Sequence, residues 1–382
     1  MSKLLSQGGF GCVYYPGINC DGEVENNPDI VTKLQKMDFN AQNEIDIGTK
    51  VKEIPNYQLF YIPVISHCPI KLSLIDKTTL KQCEVVSSDK NTEYIIMDMN
   101  YIENYPFYEF LTDISRNKKN IILNILDTYN FLCNSIKILV EQGIVQFDFK
   151  SENILYSRKT QNPLIIDFGI SLHMPSLNNN NWDDYFYIYA PDYYIWPLEV
   201  HCINYLLNEN SDRLTINNIN KIAKEVTKHN KGLTIFTNDF RSEYEKACVD
   251  ALKPYINKSV DYTINELTKS YKTWDNYGLS ILYLRLMEFL FENHFFKNKL
   301  IIMFSQLLLI NIHPDPKQRK TMEETIETYN AIFYKDEQIA DYKNLASDLN
   351  YDNDEFTTKM LVDINDLKHR IAKGSKGSKK SN

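Results

Sequence analysis

Two segments near the middle of the chain hold the densest grouping of residues able to do chemistry. The first runs from Gly143 through Gln146, Phe147, Asp148, Lys150 and Asn153. The second lies nineteen residues beyond Asp148 and reads Asp167-Phe168-Gly169, after the apolar run Leu164-Ile165-Ile166. Two carboxylates, an ammonium and an amide at this spacing match what phosphoryl transfer requires. One carboxylate orients and deprotonates the attacking hydroxyl, oxygen ligands hold Mg2+, and a cation stands near the charge in transit. On that chemistry Asp148 is the base, Lys150 the cation, and Asn153 and Asp167 the metal ligands. Asp-Phe-Gly alone is a weak signal, and an apolar run ending in Asp is common at any sheet edge. The two motifs together are far more specific.

Such chemistry also needs a cradle for phosphates, and the N-terminus offers one. Leu5-Ser6-Gln7-Gly8-Gly9-Phe10-Gly11-Cys12-Val13 lies between two predicted strands. Glycines there let backbone N–H groups approach phosphate oxygens without obstruction by Cβ. A plain β-hairpin is the competing reading. A P-loop is excluded because no Lys-Ser/Thr follows the glycines, and a dinucleotide fingerprint because the next element is a strand. Lys33 ends the strand run Ile30-Val31-Thr32. A lone strand lysine is ordinarily solvated, but one placed after a glycine-rich turn can reach α/β-phosphates if a carboxylate holds it. Glu44 is the candidate partner, with Glu53 as the second choice.

The elements that must position these residues follow from hydrophobic patterning. Short apolar runs with turn residues between them fill residues 4–99 and predict strands, interrupted by a helix over 40–51. From about residue 106 helical spacing takes over, most plainly over 121–142, where Gly143 stands as a C-cap, and again over 274–291 and 300–312. A small β-rich part followed by a larger helical part is an α+β plan with two lobes. The expected divisions are 1–99, 100–334 with a polar insertion at about 200–270, and a C-terminal extension over 335–382. That extension carries a helix near 356–371 and a disordered basic tail.

With these motifs in order, the chain resembles the eukaryotic-type protein kinase family. The glycine-rich loop, Lys33, Glu44, Asp148/Lys150/Asn153 and Asp167-Phe168-Gly169 fall in the family's sequence. Tyr94 to Asn100 resembles the hinge, with Met97 as gatekeeper and the backbone of Asp98 to Asn100 facing adenine. Trp196-Pro197-Leu198-Glu199 is similar to the end of the activation segment. The stretch from Trp274 and Asp275 to Leu279 looks like the helix that anchors the catalytic loop. His313-Pro-Asp315-Pro-Lys-Gln-Arg319 resembles the late arginine motif, whose Arg pairs with the activation-segment acid, here Glu199. The resemblance covers residues 4 to about 330. It implies a bilobal kinase fold, ATP and Mg2+, and Leu5, Gly8, Gly9, Phe10, Gly11, Val13, Lys33, Glu44, Asp98 and Asn100 around the nucleotide. Lys150 points to serine/threonine specificity on a protein substrate. In composition the chain also resembles divergent kinases of large DNA viruses.

Several positions depart from the family pattern. Ser6 replaces the first glycine and Val31 the alanine of the third strand. Gln146-Phe147 replaces the His-Arg before the catalytic Asp, which implies activity without activation-loop phosphorylation. Glu44 follows Lys33 by only eleven residues, and Gly48 stands where a bulky residue is usual. Ala190-Pro191-Asp192 competes with Trp196 to Glu199 as the end of the activation segment. The insertion at 200–270, polar but with helical spacing over 216–226, is either a specificity or partner-binding element or a plain solvated insertion. Two other functions compete with the kinase reading: a catalytically silent binding or scaffold module, and a kinase of small molecules.

Composition bounds these readings. A net charge of −8 gives no bulk positive field for nucleic acid. The longest apolar run, 300–312, is too short to span a bilayer and carries polar residues. Seven scattered cysteines without a Cys-x-x-Cys pair argue against a disulfide framework and a zinc site, and for a reducing, intracellular setting, cytoplasmic or packaged in a particle.

Overall fold

The computed structural model describes residues 1–86, 91–113, 121–209, 211–292 and 299–334. The expected C-terminal extension therefore lies outside the described residues. The chain is mixed α+β, with an antiparallel sheet toward the N-terminus and helices after it. It divides into two compact units, the first made of Met1–Phe110 and Glu141–Ser176, the second of Leu111–Val140 and the chain from Leu177 onward. The division expected at residue 99 is displaced, because the short strands carrying the Asp148 and Asp167 segments fold with the N-terminal sheet.

In the first unit, β1 (Lys3–Gln7), β2 (Gly11–Tyr15), β3 (Ile30–Lys36), β4 (Ser66–Ile70) and β5 (Tyr94–Asn100) form a sheet of order β1-β2-β3-β5-β4. β3 lies centrally and is buried from Val31 to Gln35. Period-two alternation sorts its side chains. Leu34 joins Cys12, Tyr14, Tyr94 and Ile96 in one apolar cluster. Val31 joins Ile95, Met97 and Met99 in another, against Ala41 and Ile45. Those two come from α1 (Phe39–Lys52), which starts where the Asp38 carboxylate accepts the Ala41 N–H at 3.0 Å. Gly48 is explained by contact: a Cβ there would lie 3.2 Å from the Val64 backbone N and 3.3 Å from its O. A bulky side chain there would press on that backbone.

After β5 the chain enters a three-stranded sheet of order β6-β8-β9, made of β6 (Asn104–Pro106), β8 (Ile154–Ser157) and β9 (Pro163–Ile165). Ile62 N–H donates to the Ile165 carbonyl at 3.0 Å, and Ile165 N–H to that of Phe60 at 2.9 Å. The loop behind α1 is thereby bonded to the strand that leads into Asp167. A last pairing joins β7 (Ile144–Val145) to β10 (Leu172–His173) across the two acidic segments.

The cysteines contradict the expectation of no disulfides. Cys12 is bonded to Cys83 and Cys20 to Cys68, with Cα atoms 5.9 and 6.0 Å apart. Sequence spacing could not show this, because residues 66–86 fold back over the β1–β2 hairpin. Leu4 N–H donates to the Gln82 side chain, Glu84 N–H to that of Gln7, and the Tyr14 hydroxyl to the Thr79 carbonyl. The pairing also removes the cysteine argument for a reducing compartment. Among the described residues no helix is long and apolar enough to cross a membrane.

The second unit is helical. α4 (Ile121–Glu141, after α2, Lys77–Leu80, and α3, Phe107–Thr112) brings Tyr129 into edge contact with Tyr283 and Phe304. The insertion is a packed helical layer. It comprises α6 (Leu198–Asn208), α7 (Ile216–His229), α8 (Asn238–Leu252) and α9 (Val260–Thr268), α5 being the short Trp182–Tyr185. On α7 a capping box of Thr215 and Asn218 starts the helix, and Ile219, Ile222, Ala223 and Val226 are buried. The helical stretch expected over 216–226 lies within this helix. Glu199, on α6, is buried in an ion pair with Arg319 and accepts the Ser270 hydroxyl at 2.8 Å. The acid that meets the arginine is therefore Glu199.

A thiol-reactive dye added to unreduced, denatured protein is expected to find three thiols, those of Cys133, Cys202 and Cys248. Seven reactive thiols in that experiment would contradict the pairing.

Candidate active site

Lys33 lies on the α1-facing side of the central strand, paired across the sheet with Val13 and Met97. Its ammonium sits 2.6 Å from Glu44 Oε2 and 3.3 Å from Asp167 Oδ1. Both Lys33 and Glu44 are buried. A buried ammonium is costly unless carboxylates surround it, so the three charges stand or fall together. Burial pulls Lys33 down, but Glu44 and Asp167 outweigh it and hold its ammonium above the usual lysine range. For Asp167, burial pushes up, while Lys33 and the Gly169 N–H bring the carboxyl below its usual range. Burial pushes Glu44 up, Lys33 pulls it back and Asp167 adds to the rise, leaving it at about 6. The expectation that Glu44 and not Glu53 partners Lys33 matches this geometry; Glu53 is the C-cap of α1.

Over the lysine lies the glycine-rich turn, closed by Gly8 N–H donating to the Gly11 carbonyl at 3.0 Å. Gly8 and Gly9 have open space around them. Gly11 does not. A Cβ there would come within 2.8 Å of the Leu34 carbonyl and 3.4 Å of Lys33 Cε, so only glycine lets β2 pass this close to the lysine. Leu5 is exposed and Phe10 half-buried. Val13 packs with Val31, Met97, Leu155 and Ile166, an apolar surface beside the lysine.

Asp98 is placed differently from expectation. Its carboxylate accepts the Thr32 hydroxyl at 3.1 Å and the Ser66 hydroxyl at 2.7 Å, and its carbonyl accepts the Ile65 N–H at 2.8 Å. Asp98 thus holds three strands together, and its carbonyl is already spent. β4 ends its pairing at Ser66 opposite Asp98, so Met99 and Asn100 keep a neighbour only on the β3 side. The backbone able to meet a ligand starts one residue later than expected.

The catalytic candidates converge in the loop after β7. Lys150 Nζ lies 2.8 Å from Asp148 Oδ2. The Asn153 Nδ2 donates to the Asp148 carbonyl at 3.0 Å, so the amide nitrogen is engaged and the oxygen is the end able to act as a metal ligand. Asp167 uses Oδ1 for Lys33 and for the Gly169 N–H, and its side chain is partly exposed. The donor set that remains, an amide oxygen and a carboxylate oxygen, is hard and fits Mg2+.

Sequence reasoning missed two residues that hold this arrangement. Gln146, read only as a departure, is buried and bridges the two acidic segments. Its Nε2 donates to the Asp167 carbonyl at 3.1 Å, and its Oε1 accepts the Asp148 N–H at 2.8 Å. Phe147 and Asp167 beside it take positive φ, 67° and 58°, a conformation uncommon for such residues and frequent at functional sites. Asn43, on α1, donates to the carbonyls of Gly169 and Ser171. The available signal was a polar residue between the apolar positions Ala41, Ile45 and Ile47 of the helix.

The raised Glu44 carboxyl sets a pH dependence. Its folded value of about 6 exceeds the ordinary 4.5, so the folded state binds the proton more tightly and stability falls as pH rises through that interval. Below about pH 6 Lys33 loses an anionic partner. Carboxyl-detected NMR of the metal-free protein is expected to show Glu44 titrating near 6; a midpoint at or below 4.5 would mean that the Lys33 charge outweighs burial, and would contradict the raised carboxyl.

No protein-family model matches the chain, and no curated protein matches it, so its function is read from these residues and their geometry alone.

Proposed function

We propose that the chain is a serine/threonine protein kinase of the eukaryotic type, with that family's two-lobed fold, transferring the γ-phosphate of Mg-ATP to hydroxyls of a protein substrate. The observation that carries this reading is Lys33 held between Glu44 and Asp167. It joins a strand lysine, a helix carboxylate eleven residues later and, 134 residues after the lysine, the aspartate of an Asp-Phe-Gly turn in one charge cluster.

In this reading Lys33 binds the α- and β-phosphates, and the Gly8–Gly11 turn covers them with backbone N–H groups. Val13, Val31, Met97 and Leu155 offer the apolar surface for the base. When bound, Mg2+ neutralises phosphate charge, and Asn153 and Asp167 are the residues that would hold it. Asp148 orients the acceptor hydroxyl and takes its proton. Lys150, already beside Asp148, offsets negative charge on the phosphoryl group in transit. Gln146 fixes the loop of Asp148 relative to the carbonyl of Asp167, so base and metal ligand keep one spacing.

The test is transfer of labelled γ-phosphate from Mg-ATP to generic protein substrates. Asp148→Asn is expected to lower kcat by roughly 10^2- to 10^4-fold, and Asp167→Ala to abolish transfer. Transfer to small molecules alone would redirect the reading to a small-molecule kinase. Nucleotide binding without transfer by the wild type would leave a scaffold.

A further inference from the structure

Helix α1 carries Glu44, and something must keep that helix seated if the Lys33 pair is to persist. In this chain Phe147 stands where the family's phosphate-binding arginine would be, and its side chain is buried. An added phosphate therefore has no arginine at that position to draw the elements together. The adjoining residue of α1 supplies another device. Asn43 is buried, at 6% exposure, and its Nδ2 donates to the Gly169 carbonyl at 3.0 Å and to the Ser171 carbonyl at 2.9 Å. Both amide hydrogens are thus used on the chain that follows Asp167. Asparagine is a poor helix-interior residue, and its buried amide is accounted for by these two bonds.

The bonds continue inward. Ser171, wholly buried, donates its hydroxyl to the Gln146 carbonyl at 2.9 Å. Gln146 in turn bonds the Asp148 N–H and the Asp167 carbonyl. A continuous hydrogen-bonded path therefore runs from α1, through the residues after Asp167, to the loop of the candidate base. Breaking it at Asn43 would leave two carbonyls unsatisfied in the interior.

We propose that Asn43 is a positioning residue that latches α1 to the Gly169–Ser171 segment, keeping Glu44 on Lys33 and the site assembled without phosphorylation of the activation segment. The proposal rests on the kinase reading for its consequence, but the latch itself can be read without catalysis.

The experiment is a double-mutant cycle of Asn43→Leu and Glu44→Gln, read by acetic anhydride labelling of Lys33 located by mass spectrometry. Lys33 is expected to be protected in the wild type. Each single substitution is expected to raise its labelling about tenfold or more, corresponding to roughly 1.4 kcal/mol. The double variant should be labelled no more than Glu44→Gln alone, because Asn43 acts through Glu44. Unchanged labelling in Asn43→Leu overturns the latch. Additive effects overturn it as well, since they would mean general loosening. If Asn43→Leu does not fold, Asn43→Ser, which keeps one donor, replaces it under the same expectations. In kinetics, Asn43→Leu should lower kcat/KM for ATP and leave KM for the protein acceptor unchanged, and phosphatase treatment of the wild type should leave activity intact. Activity lost on phosphatase treatment overturns the proposed independence from phosphate. A wild type that shows the labelling pattern but transfers no phosphate overturns the kinase reading and supports the latch.

Discussion

Among the described residues Lys33 is the buried lysine of the first unit, and its ammonium constrains the elements around it. Removing one partner of a buried ion pair costs roughly 3–5 kcal/mol, so Glu44 and Asp167 must both reach the lysine. This accounts for features that otherwise look unrelated. The central place of β3 keeps Lys33 dry. Asp38 sets where α1 begins, and Gly48 lets the helix lie close to the Val64 backbone. Gly11 gives the covering hairpin room to pass the lysine stem. Asp167 takes a left-handed backbone conformation while its carboxylate accepts from Lys33.

In the proposed reading the same cluster also serves the chemistry. Two carboxylates against one ammonium leave a net negative charge before any ligand arrives, and the partly exposed Asp167 carries it toward solvent. Polyphosphate brought by a divalent cation would complement that balance. The hydrogen bonds of Gln146 and Asn43 use neutral amides in place of charged groups. Neutral partners fix position without adding net charge, so the charges that remain are those proposed for ligand and reaction.

Much of this site was legible in the sequence because its parts are local patterns. A glycine-rich turn, a strand lysine and Asp-x-Lys-x-x-Asn followed by Asp-Phe-Gly are each set by backbone needs over a few residues. The 40–51 helix was legible for the same reason, and so was the acid partner of Arg319, through two motifs of fixed type. What escaped was what depends on distant segments meeting. Cys12 and Cys83 are separated by 71 positions, and nothing in their spacing shows that residues 66–86 cover the hairpin. Asp98 was assigned by its place after Met97, whereas strand pairing on both sides takes up its carbonyl and carboxylate. Gln146 and Asn43 stand where the family motif has other residues or none, so motif reasoning had no role to give them. Within the insertion the helix over 216–226 was legible from its periodicity, whereas the segments that cover its buried face were not.

The central claim is that the buried charge cluster receives the phosphates of ATP. The most direct measurement is labelling with an acyl-phosphate derivative of ATP in the presence of Mg2+, with modified lysines located by mass spectrometry. Modification confined to Lys33 and Lys150, and suppressed by excess ATP, is the predicted result. Labelling spread over exposed lysines and indifferent to ATP would contradict the account.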